Sequence, residues 1–168
     1  MKAETKKITK AALLAAIAVI IFVIEAQLPP LTSIPGIKMG LSNVITILAV
    51  YALSPLYALA ILLVRIVLGG LITGQVMAIA YSLAGGLAAL FVCIILRQFI
   101  AASQMWAVSA VSAVFHNAGQ IAAAVVITGT PAIVSYLPAL IISGIIAGIF
   151  TGLCAQFAYS QLQRLGFF

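Results

Sequence analysis

Six long apolar stretches, separated only by short segments with Pro, Gly and polar residues, occupy almost the whole chain. Of the 168 residues, 65% are hydrophobic and 6% are charged, and the mean hydropathy is +1.34. A soluble domain of this size covers its surface with polar groups, which this chain lacks. A helix that crosses a bilayer needs roughly 20 apolar residues. The pattern therefore predicts an all-α integral membrane protein, a six-helix bundle that forms one domain over residues 1–168.

The boundaries of the predicted helices fall at turn-forming residues. We expect spans at residues 11–28, 41–53, 56–68, 75–96, 104–127 and 138–161. Gly69 and Gly70 are expected to follow the end of the third helix, and Pro138 suits the first turn of the last. The second and third helices are short for a span, so we expect them to tilt or to form a re-entrant pair buried in protein.

The charged residues predict the orientation of the bundle, because cationic residues collect on the cytoplasmic side of membrane proteins. With both termini inside, six cations lie on that side, Lys38 lies outside and Arg65 lies within the third helix. The six are Lys2, Lys6, Lys7, Lys10, Arg97 and Arg164. The net charge of +6 does not indicate nucleic-acid binding, because these cations form no continuous basic face. Both termini are therefore expected in the cytoplasm.

Arg65 is the clearest candidate functional residue. An Arg inside a span costs about 2.5–3.5 kcal/mol on insertion scales and is therefore a functional candidate by default. One interpretation is a guanidinium that faces a water-filled cavity and binds an anion. The alternative is that a short third helix lets Arg65 reach the outer surface along its aliphatic stem.

The fifth predicted helix carries a second polar cluster, His116, Asn117 and Gln120. Spacings of three and four residues place these side chains on one face of a helix. Polar groups in the middle of a membrane must either bond one another and neighbouring helices or meet a ligand. The cluster favours a ligand site, with an interhelical hydrogen bond as the alternative.

The segment before the second helix predicts an anion site at the outer side. The positive N-terminus of a helix, backbone amides freed by Gly36 and Gly40, and Lys38 would act together there. Glu25 would pair with Arg65 or Lys38, or receive a cationic part of a ligand. A purely structural Pro-Gly loop is the alternative. The predicted ligand-binding residues are Lys38, Asn43, Arg65, His116, Asn117, Gln120 and Glu25, with Tyr81 and Tyr136 as residues that stack on a ring.

Small residues repeat at four-residue spacing in two helices, which lets helix backbones approach closely in lipid. Ala11/Ala15 and Ala12/Ala16 form such pairs on the first helix, and three glycines do so on the last: Gly144, Gly148 and Gly152. We expect the glycines to pack within the bundle. The alanines are expected either to pack within the bundle or to contact another membrane subunit.

Several motifs resemble one family over nearly the whole chain. They are Pro-Gly-Ile-Lys-Met-Gly-Leu-Ser-Asn (35–43), Arg65 before Gly69, Tyr-Ser-Leu-Ala-Gly-Gly (81–86), Phe-His-Asn-Ala-Gly-Gln (115–120) and Tyr-Leu-Pro (136–138). The family is the bacterial Gx transporter family, often labelled heptaprenyl diphosphate synthase component I. It is similar in turn to the substrate-binding S components of energy-coupling factor (ECF) transporters.

The resemblance implies a subunit of the bacterial cytoplasmic membrane that captures a small molecule and works with a transmembrane coupling subunit and a pair of ATPases. It implies that the Ala-x-x-x-Ala pairs contact the coupling subunit, and that the ligand is a flavin or a prenyl diphosphate-like molecule. The alternative is a non-catalytic membrane subunit associated with prenyl diphosphate or quinone synthesis.

Catalysis by the chain itself is not expected. Prenyl diphosphate synthases hold Mg²⁺ through Asp-rich motifs, because Mg²⁺ requires hard oxygen ligands. This chain has no Asp, its two Glu are 21 positions apart, and it has no Walker A sequence. Cys93 and Cys154 lack metal-binding or redox spacing. The sequence therefore predicts no enzyme, no metal and no cofactor.

Overall fold

The structure, a computed structural model, describes residues 2–27 and 40–167. Lys38 lies outside the described residues. Within them the chain forms six α-helices and no strand: α1 (Lys2–Gln27), α2 (Asn43–Ala52), α3 (Pro55–Ile72), α4 (Val76–Leu96), α5 (Met105–Thr128) and α6 (Leu137–Arg164). Two short 3-10 helices, Ala102–Gln104 and Pro131–Tyr136, precede α5 and α6. The prediction of an all-α protein with six helices is confirmed.

Five of these helices, all except α2, are long and apolar enough to cross a membrane. The chain is accordingly a multi-pass membrane protein. Helix α2 has 10 residues, so it rises about 15 Å, roughly half the thickness of a bilayer's hydrocarbon core. The orientation with both termini in the cytoplasm stays a prediction.

Helix α3 is longer than predicted. Ser54 caps its N-terminus by accepting a hydrogen bond from the backbone of Tyr57 at 3.5 Å, and Pro55 occupies the first turn. The helix continues through Gly69 and Gly70, so the prediction that it ends before them was wrong. A Cβ atom at Gly69 would collide with the Phe22 ring of α1. This glycine therefore serves helix packing, and α3 reaches 18 residues, a full span.

The α5–α6 interface is built on glycine. A Cβ atom added to Gly144 would lie 2.5 Å from the amide nitrogen of Asn117, and one added to Gly148 would lie 2.7 Å from the Cα of Ala110. At Gly152 it would lie 2.5 Å from the Cα of Trp106. The expectation that the three glycines pack within the bundle is confirmed.

Side-chain contacts define the two ends of the bundle. At the end where α1 begins and α6 ends, called the termini end here, the ammonium group of Lys10 lies 5.3 Å from the centre of the Phe167 ring. Helix α2 finishes at the same end, because Arg97, which follows α4, donates a hydrogen bond to the carbonyl of Val50. The opposite end is called the loop end. Since α2 is only about 15 Å long, it begins near mid-depth of the bundle.

Candidate functional site

A cavity of about 550 Å³ lies inside the bundle and is lined by residues of all six helices. Its volume falls within the range of about 300–1,000 Å³ that is usual for small-molecule sites. Along α5 it extends from Ser109 to Thr128, which corresponds to about 28 Å of helix. All eight predicted ligand-binding residues that the structure describes line this one cavity: Glu25, Asn43, Arg65, Tyr81, His116, Asn117, Gln120 and Tyr136. Their role in binding a ligand stays a prediction.

Arg65 is fixed at mid-depth and does not reach the surface. Its side chain is 3% exposed. One terminal nitrogen donates to the hydroxyl of Ser42 at 2.5 Å and to the side-chain oxygen of Asn43 at 3.0 Å, both at the start of α2. The Nε atom has no partner among the described residues. The alternative in which Arg65 extends to the outer surface is therefore wrong, because α3 is a full span and α2 covers the guanidinium.

The start of α2 differs in detail from the predicted anion site. Three amides of the described part of this segment have partners in the chain. Gly40 donates to a carboxylate oxygen of Glu25 at 2.5 Å. Asn43 and Val44 donate to the carbonyls of Gly40 and Leu41 at 2.8 and 3.1 Å. Among the described residues the positive charge offered here comes from Arg65 and from the N-terminal end of the α2 dipole, and the amides of residues 36–39 lie outside them.

Of the roles predicted for Glu25, a direct bond to Arg65 is not found, and pairing with Lys38 or with a ligand stays a prediction. Among the described residues its hydrogen bond goes to the backbone of Gly40 and not to Arg65. It thereby ties the end of α1 to the segment that leads into α2. The hydrogen bonds of Arg65 go to neutral oxygens, while the charge of Glu25 acts on the guanidinium without a direct ion pair.

In the polar cluster of α5, Asn117 bonds a neighbouring helix, whereas His116 has a ring atom that a ligand can bond. The amide nitrogen of Asn117 donates to the carbonyl of Leu140 at 2.5 Å and links α5 to α6. His116 instead has a buried Nδ1 atom without a partner among the described residues. The interhelical bond predicted as an alternative is therefore confirmed for Asn117, and the His116 ring also interacts with the backbone of Gly85 on α4, so that only its Nδ1 atom is left for a ligand.

A glycine contact between α4 and α5 brings this cluster to the cavity. A Cβ atom on Gly85 would lie 2.6 Å from both the His116 carbonyl and the Cγ of Gln120. On the other helix, a Cβ on Gly119 would lie 2.9 Å from the carbonyl of Ala84. Because no side chain separates the two backbones here, His116 and Gln120 lie beside α4 at the cavity wall.

Unpartnered polar atoms concentrate at the cavity. Five buried side-chain atoms of the described residues lack a hydrogen-bond partner, and four belong to cavity residues: Thr46, Arg65, Ser112 and His116. A buried polar group without a partner costs on the order of 1–3 kcal/mol. Such a concentration therefore indicates a site in which a bound molecule or water supplies the missing hydrogen bonds.

The two predicted aromatic residues lie towards the loop end of the cavity. Tyr81 is partly buried in the second turn of α4. Tyr136 is 45% exposed and directly precedes α6. Both line the cavity, and stacking on a ligand ring stays a prediction for each.

Sequence reasoning missed the hydroxyl residues of the cavity, above all Thr46 and Ser112. Ser109, Ser112 and His116 share a helical face by their spacing. This signal is weak, because a Ser or Thr in a helix commonly bonds its own backbone. Thr128 does so, donating to the carbonyl of Ala124 at 2.8 Å.

The structure separates the two alanine pairs of α1. Ala11 and Ala15 are each 8% exposed and belong to the hydrophobic core. Ala12 and Ala16 are exposed. The prediction that Ala11 and Ala15 meet a partner is corrected, since bulk there would disturb the packing of the bundle itself. Only Ala12 and Ala16 lie where another membrane protein can reach them.

The sequence model of the heptaprenyl diphosphate synthase component I family matches residues 14–158. The chain belongs to this family. The matched range contains every residue that lines the cavity. Neither the curated proteins nor the solved structures contain a match to the chain.

Proposed function

We propose that the chain is the substrate-binding membrane subunit of an ECF-type transporter, similar to an S component. It captures a small anionic organic molecule in the cavity and moves it across the membrane together with a transmembrane coupling subunit and a pair of ATPases. The observation that carries the proposal is the buried, incompletely bonded Arg65 at the wall of a ligand-sized cavity.

The half-length helix α2 supports a transport role. Transporters commonly place a substrate at mid-membrane, where the N-terminus of a discontinuous helix faces an anionic group. Here α2 begins near mid-depth, and its first residues Ser42 and Asn43 hold the Arg65 guanidinium. The dipole of α2 and the guanidinium therefore favour an anion at the same place.

Energy for transport would come from partners. The chain has no Walker A sequence, so hydrolysis of ATP is assigned to separate subunits. The exposed Ala12 and Ala16 offer a face on which a helix of a coupling subunit can approach closely. The candidate ligands are a flavin or a prenyl diphosphate-like molecule, and the chain itself is proposed to be non-catalytic.

The ligand part of the proposal is tested by native mass spectrometry of the gently solubilised protein. The wild type is expected to carry an organic anion, and Arg65→Gln is expected to lose it. Arg164→Gln is the matched control, because it removes an exposed cation at the termini end. If Arg65→Gln carries the same molecule at the same occupancy as the wild type, Arg65 does not bind it.

The partner part is tested by copurification with the coupling subunit and ATPases of the same cell. Ala12→Leu combined with Ala16→Leu is expected to abolish assembly and to leave ligand occupancy unchanged. Ala80→Leu and Ala122→Leu, which add the same bulk at exposed positions of α4 and α5, are expected to assemble normally. Normal assembly of the α1 variant would contradict the proposed interface.

The second candidate function is a non-catalytic membrane subunit associated with prenyl diphosphate or quinone synthesis. It is favoured by the family to which the chain belongs. It predicts stable copurification with a soluble synthase and a change in product formation when the chain is removed. Copurification with ATPases, without a synthase, would decide for the transporter.

A further inference from the structure

The four unpartnered atoms at the cavity belong to residues that lie in two layers. Arg65 and His116 are ten and eleven residues from the start of their helices at the termini end, a height of about 15–17 Å. Thr46 is six residues from the end of α2, and Ser112 is seven residues from the start of α5, a height of about 9–11 Å. The two layers are therefore about 6 Å apart.

The lower layer is polar, buried and free to bond. Thr46 is 7% exposed and Ser112 is 4% exposed; the Thr46 hydroxyl has no partner among the described residues, and the Ser112 hydroxyl lies beside the weakly bonding thiol of Cys93. Other hydroxyls of the cavity are already engaged. Ser109 and Thr151 bond each other at 3.1 Å, and Ser143 lies 3.3 Å from the carbonyl of Leu140. Thr46 and Ser112 are consequently positioned to bond a molecule in the cavity.

The charges at the two layers differ. Arg65 and Glu25 are the only formally charged residues among those that line the cavity in the described part of the chain. The upper layer contains the guanidinium, whereas the lower layer contains neutral hydroxyls. A negative group in the lower layer would therefore be desolvated with no cation among the described residues that line the cavity there, which is unfavourable.

Above the upper layer the cavity is lined by apolar side chains together with Glu25, Gln120, Tyr81 and Tyr136. Towards the loop end its walls include Phe22, Ile121, Ile133 and Leu140. These side chains suit the hydrocarbon or ring portion of a ligand, since apolar surface leaves water favourably there. The polar end of a ligand is accordingly expected at the deeper position, towards the termini end.

We propose that the cavity selects an organic anion with a single negative charge and a second, neutral hydrogen-bonding group about 6 Å deeper. The charged group lies at Arg65 and His116, the neutral group lies at Thr46 and Ser112, and the apolar body extends towards the loop end. The inference rests on the proposed role as a ligand-binding subunit. Within that role it favours a singly charged ligand over a diphosphate.

A series of para-substituted benzoates tests both layers, with the full-length chain in nanodiscs and binding measured by saturation-transfer NMR. The probes are benzoate, 4-hydroxybenzoate and terephthalate, which differ only in the group opposite the carboxylate. The wild type is expected to bind 4-hydroxybenzoate about fivefold more tightly than benzoate, the size of one or two net hydrogen bonds. Terephthalate is expected to bind more weakly than 4-hydroxybenzoate, because its second charge meets the neutral layer.

Variants assign the preference to the lower layer. Thr46→Val with Ser112→Ala is expected to bind benzoate and 4-hydroxybenzoate with equal affinity, that is, to lose the preference for 4-hydroxybenzoate. Thr128→Val with Ser143→Ala removes two hydroxyls that contact carbonyls of their own helix. This control is expected to keep the preference for 4-hydroxybenzoate. Arg65→Gln is expected to weaken all three probes. Ser112→Ala alone replaces the double variant if the latter does not fold.

Three results would overturn the inference: equal binding of benzoate and 4-hydroxybenzoate, a preference that survives in the Thr46/Ser112 variant, or tightest binding of terephthalate. Failure of the wild type to bind any probe would also overturn it. None of these results decides the proposed function, which depends on the copurified molecule and on assembly with a coupling subunit.

Discussion

The α5–α6 interface and the α2–α3 pair both bury polar side chains in an apolar bundle, but they treat them differently. Between α5 and α6 the polar groups bond across the interface, as Ser109 does with Thr151 and Asn117 with Leu140. Between α2 and α3, Arg65 uses one terminal nitrogen and leaves Nε unpartnered, and Thr46 has no partner. The contact surface between α5 and α6 is thus joined by bonded polar groups, whereas the α2–α3 pair, like the cavity face of α5, retains polar capacity for a ligand.

This difference indicates which helix contacts stabilise the bundle and which polar groups can bind a ligand. Glycines allow the scaffold helices to pack backbone against backbone, which gains dispersion contacts and holds the wall of the cavity in place. The unpartnered groups reduce stability, and such a cost is commonly accepted at functional sites. Substitutions in the two regions should therefore have opposite effects on stability and on ligand occupancy.

The largest effect is expected for Gly148→Leu. Its side chain would collide with the backbone of α5, since even a Cβ atom would lie 2.7 Å from the Cα of Ala110. We expect a loss of about 3 kcal/mol or more in the free energy of unfolding, typical of severe overpacking. Thermal unfolding in detergent measures it, with Ile145→Leu at the exposed face of α6 as the control. A normal unfolding temperature for Gly148→Leu would contradict the close contact.

The next largest effect is expected for Arg65→Met, with the opposite sign. Replacing this buried, incompletely paired cation by an apolar side chain of similar length removes its desolvation cost, and this gain is expected to exceed the loss of the hydrogen bonds to Ser42 and Asn43. Ligand occupancy is expected to fall at the same time. Unfolding temperature and native mass spectrometry on one preparation check both. A large loss of stability would mean that Arg65 is a structural residue and would remove the contrast between the two regions.

A smaller effect is expected for Ser109→Ala. It removes the hydrogen bond to Thr151 and is expected to cost about 1 kcal/mol. A double-mutant cycle with Thr151→Val should return a coupling energy of similar size, because the two residues are direct partners. A coupling energy near zero would show that this bond does not stabilise the scaffold.

The smallest effect is expected for Ser112→Ala, the same substitution three residues further along α5. Among the described residues its hydroxyl meets only the Cys93 thiol, a weak hydrogen-bonding partner, so its removal is expected to change stability by less than about 0.5 kcal/mol. The comparison with Ser109→Ala uses the same chemical change on the same helix. Equal destabilisation by the two variants would refute the division into bonded and available hydroxyls.

The sequence by itself determined the membrane class, the six helices and most of the candidate site. Arg65, His116 and Gln120 stood out because polar side chains are rare in apolar helices. The structure places them around one cavity. The helical pattern also predicted Asn117 as a ligand-binding residue, but its side chain bonds the carbonyl of Leu140 on α6.

Only the tertiary structure decided which small or polar residue faces which neighbour. It showed that Gly69 lies inside α3, that Ala11 is buried while Ala12 is exposed, and that Ser112 lacks the partner that Ser109 has. Residue spacing fixes the rotational position of a side chain on its own helix. Whether that face of the helix meets another helix, a cavity or lipid depends on how the six helices pack together. The sequence pattern around a glycine or a serine is the same in all three cases.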